Sequence, residues 1–207
     1  MEPVVLEAVY FAGLIVAVGI RAPHELRRMR THVTDHRVDW LEVSLMGLVV
    51  VGMFLAPVIH SLTPWLGFAD YRLPPWAGIS GVAVFAVALW LFGKSHADLG
   101  RNFSPTLEVR EEHTLVTHGV YRSVRHPMYA AQWLWGVSQA LLLQNWVAGF
   151  SGLALSALLY LLRIPREERM MIEHFGEKYR SYMDHTGRIL PRPERTADPR
   201  SQGTEPR

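Results

Sequence analysis

Cysteine is absent from all 207 residues, which excludes a disulfide framework, a zinc–thiolate site and a cysteine nucleophile together. Excess charge is missing too. The formal net charge is +2, and no Lys/Arg stripe interleaves with exposed aromatics, so nucleic acid is not an expected partner. No internal repeat is evident, which disfavours an inverted-repeat transporter. A cleavable leader is not expected either: Glu2 and Glu7 stand where a signal peptide carries positive charge, and no small-residue cleavage site follows. His32 and His36 are helically spaced, with His24, Asp35 and Asp39 nearby. No third ligand at convincing spacing completes a set, so no metal is expected.

What the chain does have is hydrophobicity sorted into blocks. The apolar fraction of 49% is unexceptional, but the apolar residues gather at Val4–Ile20, Leu41–Ile59, Trp76–Phe92, Met128–Leu143 and Trp146–Leu162. The first is long enough to cross a bilayer, and the last two are shorter, separated by Gln144-Asn145. The expectation is an all-α integral membrane bundle of about five helices; three crossings followed by a re-entrant hairpin fit the pattern equally. Trp65, Tyr71 and Trp76 suit an interfacial aromatic belt. Loops 21–40 and 93–125 carry five Lys/Arg each, loop 60–75 carries one and 144–145 none. The positive-inside rule then puts the N-terminus outside and the long loops and C-terminal region in the cytoplasm. The expected organisation is N-terminal membrane helices over 1–93, a core with hairpin and cytoplasmic helix over 94–190, and a disordered Pro/Arg/Glu/Asp tail over 191–207.

Polar residues crowd the edges of the last two apolar blocks. Arg125-His126-Pro127-Met128-Tyr129 precedes one of them, and Pro127 is suited to a first helical position, leaving free N–H groups and a positive dipole end as an anion site. Interfacial anchoring, with arginine reaching to lipid phosphate, explains the same residues as well. Arg163 and Glu167 follow the other block, four apart around Pro165; they share a face if the helix is continuous. The expectation is instead that Pro165 starts a new amphipathic helix running to about Asp184, whose first turn holds Glu167 and Glu168. The segment Phe175–Tyr182 reads as an amphipathic helix on the membrane surface.

Taken together, His113-Thr114-Leu115-Val116-Thr117-His118-Gly119-Val120-Tyr121, Arg125–Tyr129, Arg163, Glu167-Glu168 and the Phe175-Gly176-Glu177-Lys178-Tyr179 ending resemble the isoprenylcysteine carboxyl methyltransferase family. These membrane enzymes use S-adenosylmethionine and are related more distantly to phospholipid methyltransferases. The resemblance covers about 94–190. It implies that His113, Thr114, Leu115, Val116, Tyr121, His126, Pro127, Met128, Tyr129 and Glu167 line the cofactor site. It also implies that Arg163 and Glu167 are catalytic, with Arg163 on the acceptor side, and that a lipophilic acceptor enters from the bilayer among membrane lipids. In one place the chain departs from the family: Thr106–Glu112 lacks a cofactor-binding glutamine, with Thr106, Glu108 or nothing in its place. Carboxyl O-methylation is the expected reaction. Methylation of an aminophospholipid or a thiol is the alternative. A nicotinamide-dependent sterol reductase fits less well, because such chains continue Arg-His-Pro with Asn-Tyr-x-Gly-Glu where this one has Met128-Tyr129-Ala130-Ala131-Gln132.

Overall fold

A computed structural model describes residues 2–28, 33–36, 39–100, 108–110 and 114–192. His32, Thr106, His113 and the tail from 193 onward lie outside the described residues.

The apolar blocks fold as helices: α1 (Pro3–Arg28), α2 (Trp40–Leu62), α3 (Pro75–Leu99), α4 (Pro127–Leu143), α5 (Trp146–Phe175) and the short α6 (Glu177–His185). Four of them, α1, α2, α3 and α5, are long and apolar enough to cross a membrane. The fifth, α4, has 17 residues, about 25 Å of helix. It packs between α3 and α5, completing an integral membrane bundle of about five helices. Leu6, Tyr10, Leu14 and Ala17 bury one stripe of α1 against Phe85, Ala88 and Phe92 of α3. Their three- and four-residue spacing is the period of a helix with one packed face. Val16, Val18, Ile79, Val87, Leu161 and other large apolar side chains stay exposed, as surfaces that face lipid must.

The element expected to break does not. Pro165 sits inside α5, which runs unbroken to Phe175 before Gly176, at φ +57°, turns the chain into α6. The new helix expected at Pro165 is therefore the second half of α5, and this continuity sets the site geometry below.

Both ends of the bundle are sorted. At one end the turn between α4 and α5 meets the α2–α3 connection. Tyr71 N donates to Gln144 O (2.8 Å) and Leu73 N to Gln144 Oε1 (3.0 Å), while Gln144 itself takes a left-handed conformation at φ 48°. The turn of the hairpin thus lies beside the connection between α2 and α3. Of the aromatic residues expected in a belt, Trp65 and Trp76 project from this end, joined by Phe68 and Trp146, whereas Tyr71 is half-buried with its hydroxyl donating to Ala140 O at 2.6 Å. At the other end β1 (Val33–His36) pairs antiparallel with β2 (Glu108–Arg110), tying the two basic loops together. Arg166 on α5 holds Asp39 at the start of α2 at 2.7 Å. The two Arg-rich loops and the C-terminal region therefore share one end, and the loops with one and no Lys/Arg share the other.

Two buried amides hold the bundle where water is absent. Gln139 on α4 donates to Gly52 O (2.9 Å) and Ala148 O (2.6 Å), and its Oε1 lies 2.9 Å from the Tyr10 hydroxyl. Gly52 lies in a π turn, Val51–Leu55, whose shifted carbonyls need partners in an apolar medium. A side chain at Gly52 has no room, since a Cβ there would fall 2.8 Å from Ser151 O. Asn145 caps α5 by accepting from Val147 N (2.9 Å) and Ala148 N (2.8 Å), and donates to Leu66 O and Asp70 Oδ1, both at 2.7 Å. Asn145→Ala removes all four bonds and should cost about 2–4 kcal/mol, read as a lowered thermal midpoint in detergent. Asn145→Asp, which keeps the cap but loses the donors, should fall between; equal effects of the two substitutions would refute this division of labour.

Candidate active site

At the basic end, the start of α4 is fixed by pairing rather than by a cap. Arg125 N donates to Gly187 O and His126 N to Arg188 O, both at 2.8 Å, so the segment before Pro127 lies extended against the chain beyond α6. Pro127 takes the first helical position and His126 provides no side-chain cap. The first-turn amides therefore face the site end of the bundle without a local acceptor. Arg125 is a clamp, not a lipid-facing anchor: it donates to Glu168 Oε1 from Nε (3.3 Å) and Nη2 (3.2 Å), and to Met183 O and Thr186 O from Nη1. Arg188 completes the clamp with a 2.7 Å bond to Glu168 Oε2.

One turn into α4, the Tyr129 hydroxyl donates to Glu167 Oε2 at 2.9 Å. Because α5 is continuous, Arg163 and Glu167 share a face, with Arg163 Nε 3.4 Å from the same oxygen. His126 is buried between two carboxylates, Nδ1 3.6 Å from Glu167 Oε1 and Nε2 3.4 Å from Glu168 Oε1. Burial alone lowers the affinity of its imidazole for a proton, but the hydrogen bonds and charges of Glu167 and Glu168 outweigh it and raise the pKa above its ordinary value. Each ring nitrogen thus has an acceptor for its proton.

Arg163 has a second acidic partner, which no sequence pattern singled out. Glu42, on the first turn of α2 and fully buried, places Oε1 3.0 Å from Arg163 Nη1. Met46 Sδ lies 3.7 Å from the same nitrogen. Its available signal was a lone carboxylate in an otherwise apolar span, a costly placement. Tyr160 stands one turn before Arg163, edge-on to Tyr129 (ring centroids 6.2 Å) and to Trp133 (6.1 Å), so the site opens onto an aromatic wall of the hairpin.

His126, Tyr129, Arg163 and Glu167 therefore converge as one cluster, with Pro127 buried beside them and Met128 half-buried. Along the segment leading in, Val116 and Tyr121 are buried, Leu115 is half-buried and Thr114 exposed. Tyr121 bridges helices: its hydroxyl donates to Ser95 O (3.4 Å) on α3, and its carbonyl accepts from Tyr182 (2.6 Å) on α6. Among the described residues no three His, Asp or Glu side chains converge as metal ligands. A cavity of about 560 Å³ lies at the opposite end, lined by Glu7, His60, Asp70 and Gln144, and has no part in this cluster.

A sequence model described as the isoprenylcysteine carboxyl methyltransferase family matches residues 79–173, from within α3 to near the end of α5. Protein-S-isoprenylcysteine O-methyltransferase B of Arabidopsis thaliana is 34% identical over 147 residues, covering 68% of this chain and 75% of its own. The A form from the same plant is 27% identical, covering 72% and 79%. The Dictyostelium discoideum protein-S-isoprenylcysteine O-methyltransferase is 37% identical over 87 residues, covering 40% of this chain and 36% of its own. A solved structure described as the eukaryotic intramembrane Ras methyltransferase, an isoprenylcysteine carboxyl methyltransferase, superimposes with a TM-score of 0.51 at 26% identity. The match covers 72% of this chain, which spans half the length of that one. With the shared helical bundle and the placement of Arg163 and Glu167 on α5 inside the matched region, the chain belongs to the isoprenylcysteine carboxyl methyltransferase family, a family of membrane methyltransferases.

Proposed function

We propose that this chain transfers the methyl group of S-adenosylmethionine to the carboxylate of a lipophilic, isoprenylcysteine-like acceptor that enters from the bilayer. The observation that carries the reading is the buried guanidinium of Arg163 beside Glu167 on an unbroken helix, at the end of an apolar hairpin.

The donor set suits the cofactor. Glu167 is half-buried and shared among Tyr129, His126 and Arg163, a carboxylate placed for an ammonium group. The uncapped first turn of α4 offers N–H groups and a positive dipole end to a carboxylate. Pro127, Met128 and Tyr129 form the adjoining wall, and Thr114, Leu115, Val116 and Tyr121 belong to the segment leading into it. When bound, S-adenosylmethionine supplies an activated methyl group whose leaving group departs as a neutral thioether. Arg163 holds and orients the acceptor carboxylate by charge-assisted hydrogen bonds. Tyr129 and His126 hold Glu167 still, and the packing of α2 and α5 around Arg163 excludes water. We place the site end in the cytoplasm and the N-terminus outside, on the sorting of Lys/Arg between the two ends.

An acceptor carboxylate is ionised from about pH 5 upward, so the reaction needs no general base. The raised pKa of His126 sets the alkaline limit. Its pairing with Glu167 and Glu168 is fully present below the ordinary imidazole value near 6.5 and is lost as pH rises through the higher folded value. Turnover should therefore be flat from about pH 6 and fall only on the alkaline side. A rate that climbs steadily with pH instead means a deprotonating amine or thiol acceptor. The direct assay supplies methyl-labelled cofactor with a prenylcysteine analogue, an aminophospholipid and a thiol. Label released by mild alkali as methanol identifies the ester; alkali-stable label on either other acceptor overturns the reading.

A further inference from the structure

Arg163 already carries a buried carboxylate that the reaction does not use. Glu42 is fully buried on the first turn of α2, with Oε1 3.0 Å from Arg163 Nη1, yet among the described residues neither of its oxygens accepts a hydrogen bond. The contact has the distance of an ion pair without the aligned N–H···O geometry that offsets the cost of burying two charges. Arg163 Nε likewise makes no aligned bond at its 3.4 Å distance from Glu167. The guanidinium is thus neutralised twice over, by Glu42 across the helix interface and by Glu167 on its own helix, and is fully satisfied by neither.

We infer that Glu42 is an internal stand-in for the acceptor carboxylate: it occupies Arg163 in the acceptor-free enzyme and is displaced when an acidic acceptor binds. The inference rests on the carboxyl methylation proposed above. Arg163 already faces two carboxylates, and a third arriving on the same guanidinium is opposed by like-charge repulsion. Glu167 is fixed by Tyr129 and His126, so Glu42 is the partner free to leave. Its route is short. Side chains on a helix lean toward the N-terminus, and Glu42 lies three residues from the Asp39 cap, so its swing leads toward the membrane–water boundary. Only a ligand that brings a negative charge to Arg163 displaces Glu42; a neutral ligand of the same shape leaves the Glu42–Arg163 contact in place.

The test compares Glu42→Gln with the unaltered enzyme, using a prenylcysteine acid as substrate and its carboxamide as competitive ligand. Loss of the competing charge should lower the KM for the acid roughly tenfold, a difference of about 1.4 kcal/mol, and leave kcat within about twofold. Carboxamide affinity should change little, so the acid-to-amide ratio rises. A purely structural role for Glu42 moves both ligands together; an unchanged or higher KM for the acid overturns the inference. Should the glutamine variant not fold, Glu42→Asp, which withdraws the charge by one methylene, should raise the ratio by a smaller factor, and an unchanged ratio overturns it equally. Failure of the carboxyl-methylation reading is distinct: the unaltered enzyme would then form no alkali-labile ester.

Discussion

Arg163→Ala should reduce methyl transfer by on the order of 10²–10³-fold, the loss seen when one preorganised charge-stabilising donor is removed from a dry site. The reason is geometric before it is electrostatic. In the proposed reaction Arg163 is the cation that holds the acceptor carboxylate, so its removal leaves the acceptor without orientation. Cofactor binding should survive far better, because Tyr129 and His126 still hold Glu167. Arg163→Ala also takes from Glu42 its cation, at a cost that reaches about 3–5 kcal/mol where the carboxylate stays buried. Folding and chemistry therefore have to be separated. The paired change Glu42→Leu with Arg163→Met replaces both charges by apolar volume and should restore the thermal midpoint, yet remain inactive. Activity in that double variant would remove Arg163 from the mechanism. Arg163→Lys keeps the charge but loses the planar fork, and should recover only a small part of the rate.

How much of this was legible in the sequence follows from how far each interaction reaches along the chain. The helices were legible, because apolar runs and Pro127 at a helix start are local signals. So was the pairing of Arg163 with Glu167, once the helix between them is known to be continuous. That continuity was the local signal read wrongly. An interior proline usually ends a soluble helix, but α5 carries Pro165 on an exposed face and continues; in a membrane bundle neighbouring groups can satisfy the freed carbonyl. The ends of the bundle were legible through charge, since loops sorted by Lys/Arg count also meet in space. The pairing of Glu42 with Arg163 was not legible, although its lone carboxylate at the edge of an apolar span was. An acidic residue in the first turn of a helix is ordinarily there for the dipole, and nothing local says that its partner lies 121 positions away on α5. The same holds for Gln139, whose carbonyl partner Gly52 is 87 positions distant, and for Arg125, which looked like a phosphate anchor and instead binds the chain beyond α6.

The two adjacent glutamates give the sharpest division between holding the site and using it. Successive residues on a helix point about 100° apart, so Glu167 faces Tyr129 and Arg163 while Glu168 faces Arg125 and Arg188. Only His126 touches both. Glu167→Gln keeps the shape and an acceptor oxygen for Tyr129 but removes the charge proposed for the cofactor's ammonium. It should weaken cofactor binding by roughly tenfold to a hundredfold, about 1.5–3 kcal/mol for a hydrogen bond to a charged group, with little change in thermal midpoint. Glu168→Ala should do the reverse. It leaves Arg125, whose side chain is 7% exposed, without its carboxylate, and releases Arg188 and one side of His126. The expected cost is about 3–5 kcal/mol, read as a lowered midpoint and as earlier proteolysis within 183–192, the segment that Arg125 and Arg188 pin. In the proposed site Glu168 positions His126 and holds neither substrate, so activity lost in Glu168→Ala should return in part when the protein is stabilised by excess cofactor, through mass action on the folded state. Activity lost in Glu167→Gln should return only as the altered affinity permits. If Glu168→Ala melts like the unaltered protein, the clamp on the α4 start is not made by this carboxylate.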